Sequence, residues 1–198
     1  MKFDAHAHLP EREDFSLPAD WSGVVCAVRE SDFENLSSLA KKNGGIIPAF
    51  GLHPWFLRER STNWLETLRR FLESAPRAQV GEIGLDKIRV HEVSLDEQTD
   101  IFTAQLQLAI ELNIPANIHC VRAWNELLRI FHAKKQIPKL HFHAFSGSPE
   151  IARELLRLAD ATFSFSPKQR DSEKLRRVRE AIPPERIFEE SDAALGSI

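Results

Sequence analysis

The chain has 198 residues, a length that suits one domain with its own core and is too short for two ordinary domains. Its 42% apolar and 28% charged residues exclude a disordered chain, and its net charge of −3 excludes a broad basic surface for nucleic acid, though not a small local patch. The two cysteines are too few for a disulfide scaffold, and no apolar stretch has the length of a signal peptide or a membrane span. We therefore expect a cytoplasmic protein without membrane contact. We also expect one domain over residues 1–198, and we infer no obligate protein partner.

Short apolar runs rich in β-forming residues alternate with longer stretches of helical spacing. The eight runs are residues 2–9, 22–28, 46–54, 78–86, 115–120, 139–146, 161–167 and 186–192. Helical patterns follow from the second run onward, and Ser31 is the predicted N-cap of the first of them. Strands that alternate with helices are typical of right-handed βαβ units and a parallel sheet.

Eight such units predict an α/β fold of the TIM-barrel type, a closed and compact (β/α)8 barrel. The first connection, residues 10–21, is short and contains prolines, so we expect no full helix there. Only six residues follow Asp192, so we also expect no helix after the last strand. An open, doubly wound sheet is the alternative architecture.

His6 and His8 flank one alanine on the first predicted strand. Because side chains alternate along a strand, both imidazoles face the same side, and strand ends form the mouth of a barrel, where active sites lie. Two imidazoles on a rigid strand suit zinc or another divalent metal, although an ordinary polar pair is the alternative. Asp4 lies one step deeper on this face, where we expect it to orient an imidazole.

Residues of the same kinds recur at the ends of other predicted strands. They are His53, Glu82, Asp86, His119, His143 and Asp192. In a barrel they all converge on one rim, where closely packed carboxylates and imidazoles are costly without a cation. A hydrogen-bonded polar group explains any one of them taken singly, but it explains the whole set poorly.

The fourth predicted strand carries Glu82, Gly84 and Asp86 on one face. Gly84 leaves room between the two acids, and Glu82, with its two oxygens, is the candidate to bridge two metal ions. Asp86 is either a further site residue or a structural hydrogen-bonding group. On the sixth strand His143 lies nearer the rim, whereas His141 lies deeper and is expected to be a buried histidine with satisfied hydrogen bonds.

Six motifs together resemble, in order and position, those of the TatD family of metal-dependent hydrolases, which belongs to the amidohydrolase-like TIM barrels. The motifs are H-A-H, G-L-H-P, G-E-I-G-L-D, N-I-H-C, H-A-F-S-G and E-S-D, and they span residues 4–192. The resemblance implies a site for two divalent metal ions, with zinc, manganese or magnesium as candidates. It implies that His6, His8 and Asp192 hold one ion, that His119 and His143 hold the other, and that Glu82 contacts both.

The chain departs from the family pattern without losing an expected metal ligand. Ala144 stands where the family usually has cysteine, and Lys87 where it often has an aromatic residue. Ser191 and Ala194 stand where the family usually has threonine and proline. The helices that usually follow the last strand are absent from this sequence, so we expect a short subgroup of the family.

The resemblance implies a deoxyribonuclease that cleaves phosphodiester bonds of DNA by attack of a metal-bound hydroxide. Two divalent ions outweigh the charges of Glu82 and Asp192, so the pocket favours an anionic substrate. Asp192 is expected to orient the attacking water and accept its proton, and His53 to contact the substrate or protonate the leaving group. Arg122 is expected either to reach a phosphate or to be solvated, and Trp55 either to stack on a base or to pack in a lid.

Two other functions are open at this point. One is hydrolysis of another small ester, amide or phosphomonoester, because related barrels catalyse many such reactions. The other is a non-catalytic metal-binding barrel. If the substrate is DNA, the near-neutral charge favours short or single-stranded ends over a gripped duplex.

Overall fold

The strands of the chain lie in sequence order in one parallel sheet, in a computed structural model that describes residues 3–10, 15–169 and 171–197. They are β1 (Phe3–His8), β2 (Ser22–Cys26), β3 (Ile46–Phe50), β4 (Gln79–Asp86), β5 (Ala116–Val121), β6 (Leu140–Phe142), β7 (Ala161–Ser164) and β8 (Ile187–Phe188). Each strand pairs with the next one along the chain. This order confirms the predicted barrel and rules out the doubly wound alternative, whose strand order reverses.

The segment at the end of β8 returns to β1 and nearly closes the barrel. The backbone N–H of Ala5 donates to the carbonyl of Glu189 at 2.9 Å, and that of Asp192 donates to the carbonyl of His6 at 3.0 Å. The first and last strands are therefore neighbours, and the carboxyl ends of all eight strands meet at one rim.

Among the described residues, six α-helices connect the strands from β2 onward. They are α1 (Phe33–Lys42), α2 (Trp64–Ser74), α3 (Leu95–Leu112), α4 (Trp124–His132), α5 (Pro149–Leu158) and α6 (Glu173–Glu180). Short 3₁₀ helices are Glu30–Asp32, Pro54–Glu59, Lys87–Arg89 and Pro184–Arg186. Within those same residues, the first connection and the segment after β8 contain no helix, and no helix is long and apolar enough to cross a membrane.

The main apolar core lies around the strands and holds them in fixed positions. Its largest members are buried phenylalanines, namely Phe33, Phe50, Phe102, Phe131, Phe142, Phe145 and Phe163. Each buried ring of this kind contributes about 1.5–3 kcal/mol relative to an exposed one. The packed core therefore holds the strand ends that form the rim in fixed positions.

The prediction of Ser31 as a helix N-cap is wrong. Ser31 lies inside the first 3₁₀ helix, and α1 begins at Phe33. The Asp32 carboxylate accepts hydrogen bonds from the backbone N–H groups of Val28 and Arg29 at 3.0 and 3.1 Å. A carboxylate acceptor binds these N–H groups more strongly than a hydroxyl does, and α1, with Asp32 as its N-cap residue, starts one residue later than an N-cap at Ser31 would place it.

Candidate metal centre

The strand ends bring the six predicted ligand residues to one place on the rim. His6 and His8 lie on β1, Glu82 on β4 and His119 on β5, while His143 follows β6 and Asp192 follows β8. Three groups of candidate ligand atoms each fall within 4.8 Å of one another: His6 with His143 and Asp192, His6 with His8 and Glu82, and His53 with Glu82 and His119.

Glu82 lies at the centre of this cluster and is only 2% exposed. Its Oε2 faces β1, at 3.3 Å from His6 Nε2 and 3.9 Å from His8 Nε2. Its Oε1 faces the opposite side, at 2.8 Å from His143 Nε2 and 3.0 Å from His119 Nδ1. The carboxylate therefore presents one oxygen to each of two histidine pairs.

The donor atoms of the cluster suit divalent cations. The Nε2 atoms of His6 and His8 lie 3.4 Å apart, and His119 Nδ1 lies 3.3 Å from His143 Nε2. A neutral imidazole has one acceptor nitrogen, and in each pair such nitrogens point at the same space next to a Glu82 oxygen. Converging nitrogen and carboxylate ligands are the donor set that zinc and similar ions take in proteins, so the residues fit the metals that the sequence implies.

Burial and the close approach of opposite charges set the ionisation of the cluster. Burial opposes ionisation of Glu82, but the surrounding imidazoles hold the pKa of this carboxyl well below its usual value. Burial lowers the pKa of His6. For His119, hydrogen bonds to Asp86 and Glu82 outweigh burial and raise the pKa to about 9. The negative charge at the centre is thus fixed on Glu82.

Asp192 completes the rim beside β8. Its Oδ1 lies 3.6 Å from His8 Nε2, and its side chain is 20% exposed. Burial raises the pKa of Asp192, but the hydrogen bond with His8 and the nearby His143 and His6 outweigh burial and lower it to about 2. Asp192 is therefore an ionised carboxylate at neutral pH that reaches the solvent at the mouth of the barrel.

Asp86 is a fully buried hydrogen-bonding group behind the cluster. Its Oδ2 accepts the indole N–H of Trp55 at 2.7 Å and lies 3.2 Å from His119 Nε2, while Oδ1 accepts the backbone N–H of Ile88 at 2.8 Å. His119 thus turns Nδ1 toward Glu82 and Nε2 toward Asp86. Of the two predicted roles, these contacts favour the structural one, in which Asp86 fixes the orientation of a ligand ring.

His53 is buried next to Glu82, with Nε2 at 3.3 Å from Oε1. The backbone N–H of Trp55 donates to His53 Nδ1 at 3.2 Å, so in the neutral ring the proton is on Nε2 and points at Glu82. Burial lowers the pKa of His53 to about 4. The predicted roles of His53 in contacting substrate or protonating a leaving group stay predictions, and the structure adds a hydrogen bond that positions Glu82.

Trp55 and Arg122 lie at the mouth of the barrel. The Trp55 ring is 41% exposed, and the guanidinium of Arg89 lies 4.4 Å from its centroid. Arg122 is exposed directly after β5 and has a left-handed φ of 56°. For Trp55, stacking on a base and packing in a lid both stay predictions, because its ring contacts Arg89 and is also partly exposed. For Arg122, contact with a phosphate and simple solvation both stay predictions, because it lies at the mouth of the barrel and has no side-chain partner among the described residues.

Sequence reasoning missed Glu190, which is 7% exposed and closes the turn after β6. Its carboxylate accepts the N–H of Ala144 at 3.0 Å and the hydroxyl of Ser164 at 2.6 Å, and lies 4.0 Å from His143 Nδ1. Glu190 therefore fixes the backbone that carries His143. A signal was present, since Glu190 precedes Asp192 by two positions and the two acids would share one face of an extended segment.

Two other polar residues can be compared with their predictions. His141 has the satisfied hydrogen bonds that the sequence predicts, although it is half-buried rather than buried: Nδ1 lies 2.9 Å from Thr162 Oγ1 and Nε2 lies 2.8 Å from Ser164 Oγ. Asp4 was expected to orient an imidazole, but its Oδ1 accepts the backbone N–H groups of His6 and Ser191, at 3.2 and 2.9 Å. Asp4 therefore joins β1 to the segment after β8 rather than holding a ring.

A (β/α)8 barrel that gathers histidines and carboxylates at the carboxyl ends of its strands has the architecture of the amidohydrolase-like TIM barrels. The chain belongs to the TatD family within that class. The family model described as TatD related DNase matches residues 3–194, which is nearly the whole chain.

Named relatives and a solved structure are similar to this chain. It is 36% identical over 195 residues to the human 3'-5' RNA nuclease TATDN2, covering 90% of this chain and 24% of the relative. It is 34% identical over 151 residues to the 3'-5' ssDNA/RNA exonuclease TatD of Erwinia tasmaniensis, covering 72% of this chain and 56% of that protein. The crystal structure of the TatD homologue YJJV from Escherichia coli K12 superposes with a TM-score of 0.78 at 24% identity, covering 96% of this chain and 78% of that one.

Proposed function

We propose that residues 1–198 form one metal-dependent hydrolase domain that cleaves phosphodiester bonds of DNA. The observation that carries the proposal is the position of Glu82, which turns one oxygen toward His6 and His8 and the other toward His119 and His143. A carboxylate placed in this way fits two cations held side by side. The names of the relatives, which include nucleases for RNA and for single-stranded DNA, support a nucleic acid as the substrate.

The proposed ligand set follows the two sides of Glu82. One ion would be held by His6, His8 and Asp192, the other by His119 and His143, and both by Glu82. When bound, two divalent ions supply an acidified water and neutralise charge on a phosphodiester. Zinc, manganese and magnesium are all candidates, with the imidazoles favouring zinc or manganese.

The chain's own residues would position the water and the ligands. Asp192 is ionised and partly exposed, so one of its carboxylate oxygens can hold the attacking water and accept its proton. Asp86 holds the ring of His119, and Glu190 holds the backbone beside His143. The buried His53 donates to Glu82, which fixes the plane of the carboxylate.

A nuclease assay with and without a chelator tests the proposal. We expect the wild-type chain to cleave a labelled single-stranded oligonucleotide with added manganese, magnesium or zinc, and EDTA to abolish cleavage. His119→Ala and Asp192→Ala should each lose about 10³-fold or more in rate, because each removes a ligand or the base. The exposed His91, paired with Glu92 outside the cluster, provides the control His91→Ala, which should cleave at the wild-type rate.

The alternatives give different results in the same experiment. If both variants cleave DNA as fast as the wild type, the nuclease proposal fails. Bound metal with hydrolysis of p-nitrophenyl acetate or p-nitrophenyl phosphate, but not of DNA, identifies another small-ester or phosphomonoester hydrolase. Bound metal without any hydrolysis identifies a non-catalytic barrel.

Asp86→Asn should weaken metal binding without unfolding the barrel. The amide keeps the shape of the carboxylate but loses the charge that holds the Nε2–H of His119, so the ring is less basic and less well oriented. We expect metal affinity to fall about 10–100-fold, as for other residues that support a ligand histidine. Competition with a fluorescent chelator measures the affinity. Unchanged affinity would show that Asp86 does not orient His119.

A further inference from the structure

Basic residues around the mouth of the barrel differ in whether a carboxylate neutralises them. On the side formed by the segments after β2, β3 and β4, four of the five arginines and lysines have an acidic partner, and the exposed Arg58 has none among the described residues. The pairs are Arg29–Glu59 at 3.0 Å, Arg60–Glu97 at 2.8 Å, Lys87–Glu126 at 2.8 Å and Arg89–Glu92 at 2.5 Å. Ion pairs therefore cancel most of the positive charge on this side, with Arg58 as the exception among the described residues.

Three basic residues on the opposite side have no carboxylate within ion-pair distance among the described residues. They are Arg122 directly after β5, Lys168 after β7 and Lys174 at the start of α6. Acids on the same stretch of chain are occupied by other cations: Asp171 pairs with Arg176 at 2.9 Å, and Glu173 pairs with Arg177. Among the described residues, the charge on this side is therefore not cancelled by an ion pair.

Two of these side chains are held in place by backbone oxygens. Lys168 Nζ donates to the carbonyl of Asp192 at 3.0 Å, and the backbone N–H of Lys168 donates to Ser166 Oγ at 3.3 Å. Lys174 Nζ donates to the carbonyl of Ser146 at 3.5 Å. A carbonyl positions an ammonium group without neutralising it, and each ammonium keeps two further N–H donors. Lys168 thus holds a charge beside the residue proposed to act on water.

We propose that Lys168, together with Lys174 and Arg122, forms a phosphate-binding edge along the β5–β8 side of the mouth. This inference rests on the proposed function and adds the path of the substrate to it. The edge would hold phosphates that flank the cleaved bond, so that a single strand crosses the centre next to Asp192. The edge consists of three positive charges, which is enough to bind a few phosphates at the end of a single strand. Such limited binding is consistent with the net charge of −3 of the whole chain.

The substitutions Lys168→Gln and Lys174→Gln test the edge, with Lys87→Gln as the matched control. Lys87 is also a lysine at the mouth, but Glu126 already neutralises it. For a twelve-nucleotide single strand at 0.1 M salt, we expect KM to rise about fivefold for Lys168→Gln and about twentyfold for the double variant, with kcat unchanged. The slope of log KM against log salt should fall by about 0.7 for each lysine removed, and Lys87→Gln should change neither quantity.

A small phosphodiester separates this role from a merely structural one. Thymidine 5'-(p-nitrophenyl phosphate) has no flanking phosphates, so its KM and kcat should be the same in the wild type and in all three variants. If Lys168→Gln raises KM equally for both substrates, or leaves the slope of log KM against log salt unchanged, the proposed phosphate-binding edge is wrong, while the proposed nuclease activity still stands. A wild-type protein that cleaves neither substrate would instead overturn the proposed function. In that case, anisotropy of the uncleaved labelled strand measures the salt slope directly.

Discussion

Glu82→Gln is expected to abolish hydrolysis, with kcat lowered by about 10³-fold or more while the barrel stays folded. The amide has the same shape as the carboxylate but no charge, and one of its two ends carries an NH₂ donor. Whichever way it is placed, that donor faces either His6 and His8 or His119 and His143. One of the two proposed metal positions would therefore lose its shared oxygen, and the other would lose its negative charge.

Metal content and circular dichroism measured together test this prediction. We expect elemental analysis to find less metal in purified Glu82→Gln than in the wild type, with the same far-ultraviolet spectrum. Glu111→Gln provides the control, because Glu111 is an exposed glutamate on α3 that pairs only with groups outside the site. A Glu82→Gln protein with full metal content and more than a tenth of the wild-type kcat would show that Glu82 is not central.

The barrel and the members of the cluster could be predicted because both follow from periodic features of the sequence. Alternation along a strand places His6 and His8 on one face, and the order of the βα units places the ends of all strands at one rim. His119 and His143 then meet Glu82 although they are distant in sequence, as the 3.0 and 2.8 Å contacts show. Local sequence patterns are sufficient to predict which residues meet at the rim, because each strand of the barrel lies next to the one that follows it in the sequence.

The partners of individual polar groups could not be predicted, because they depend on contacts between distant loops. Asp4 contacts backbone N–H groups at both ends of the chain, one of them on Ser191, which lies 187 positions away. Lys87 is neutralised by Glu126 across 39 positions, whereas the ammonium of Lys168 contacts, among the described residues, a carbonyl from 24 positions away and no carboxylate. No local pattern separates these two lysines. The phosphate-binding edge is therefore a feature of the structure alone.

Gly84 gives a second large expected effect, for a reason that differs from the sequence interpretation. The sequence suggested that glycine leaves room between Glu82 and Asp86. In the structure Gly84 pairs with His119 of β5, and a Cβ at Gly84 would lie 1.8 Å from the carbonyl oxygen of His119. Its φ of +157° is also one that side chains rarely adopt. The glycine is needed because two backbones approach closely.

Gly84→Ala should therefore lower the free energy of unfolding by about 3 kcal/mol or more, because neither backbone can move without breaking strand pairs in the barrel. Gly44→Ala is the matched control: a Cβ there meets no atom within 4 Å, so the change should stay within about 1 kcal/mol. Urea unfolding followed by tryptophan fluorescence measures both. If Gly84→Ala and the wild type unfold at the same urea concentration, the predicted clash between a Cβ at Gly84 and the backbone of His119 is wrong.

The same substitution should also weaken metal binding, because Gly84 lies two positions from Glu82 on β4 and opposite His119 on β5. A side chain that pushes these strands apart lengthens the 3.0 Å contact between Glu82 Oε1 and His119 Nδ1, which belongs to one of the proposed metal positions. Stability and metal affinity should therefore fall together in Gly84→Ala and stay unchanged in Gly44→Ala. A loss of stability with full metal affinity would show that the strand pair and the metal centre are independent.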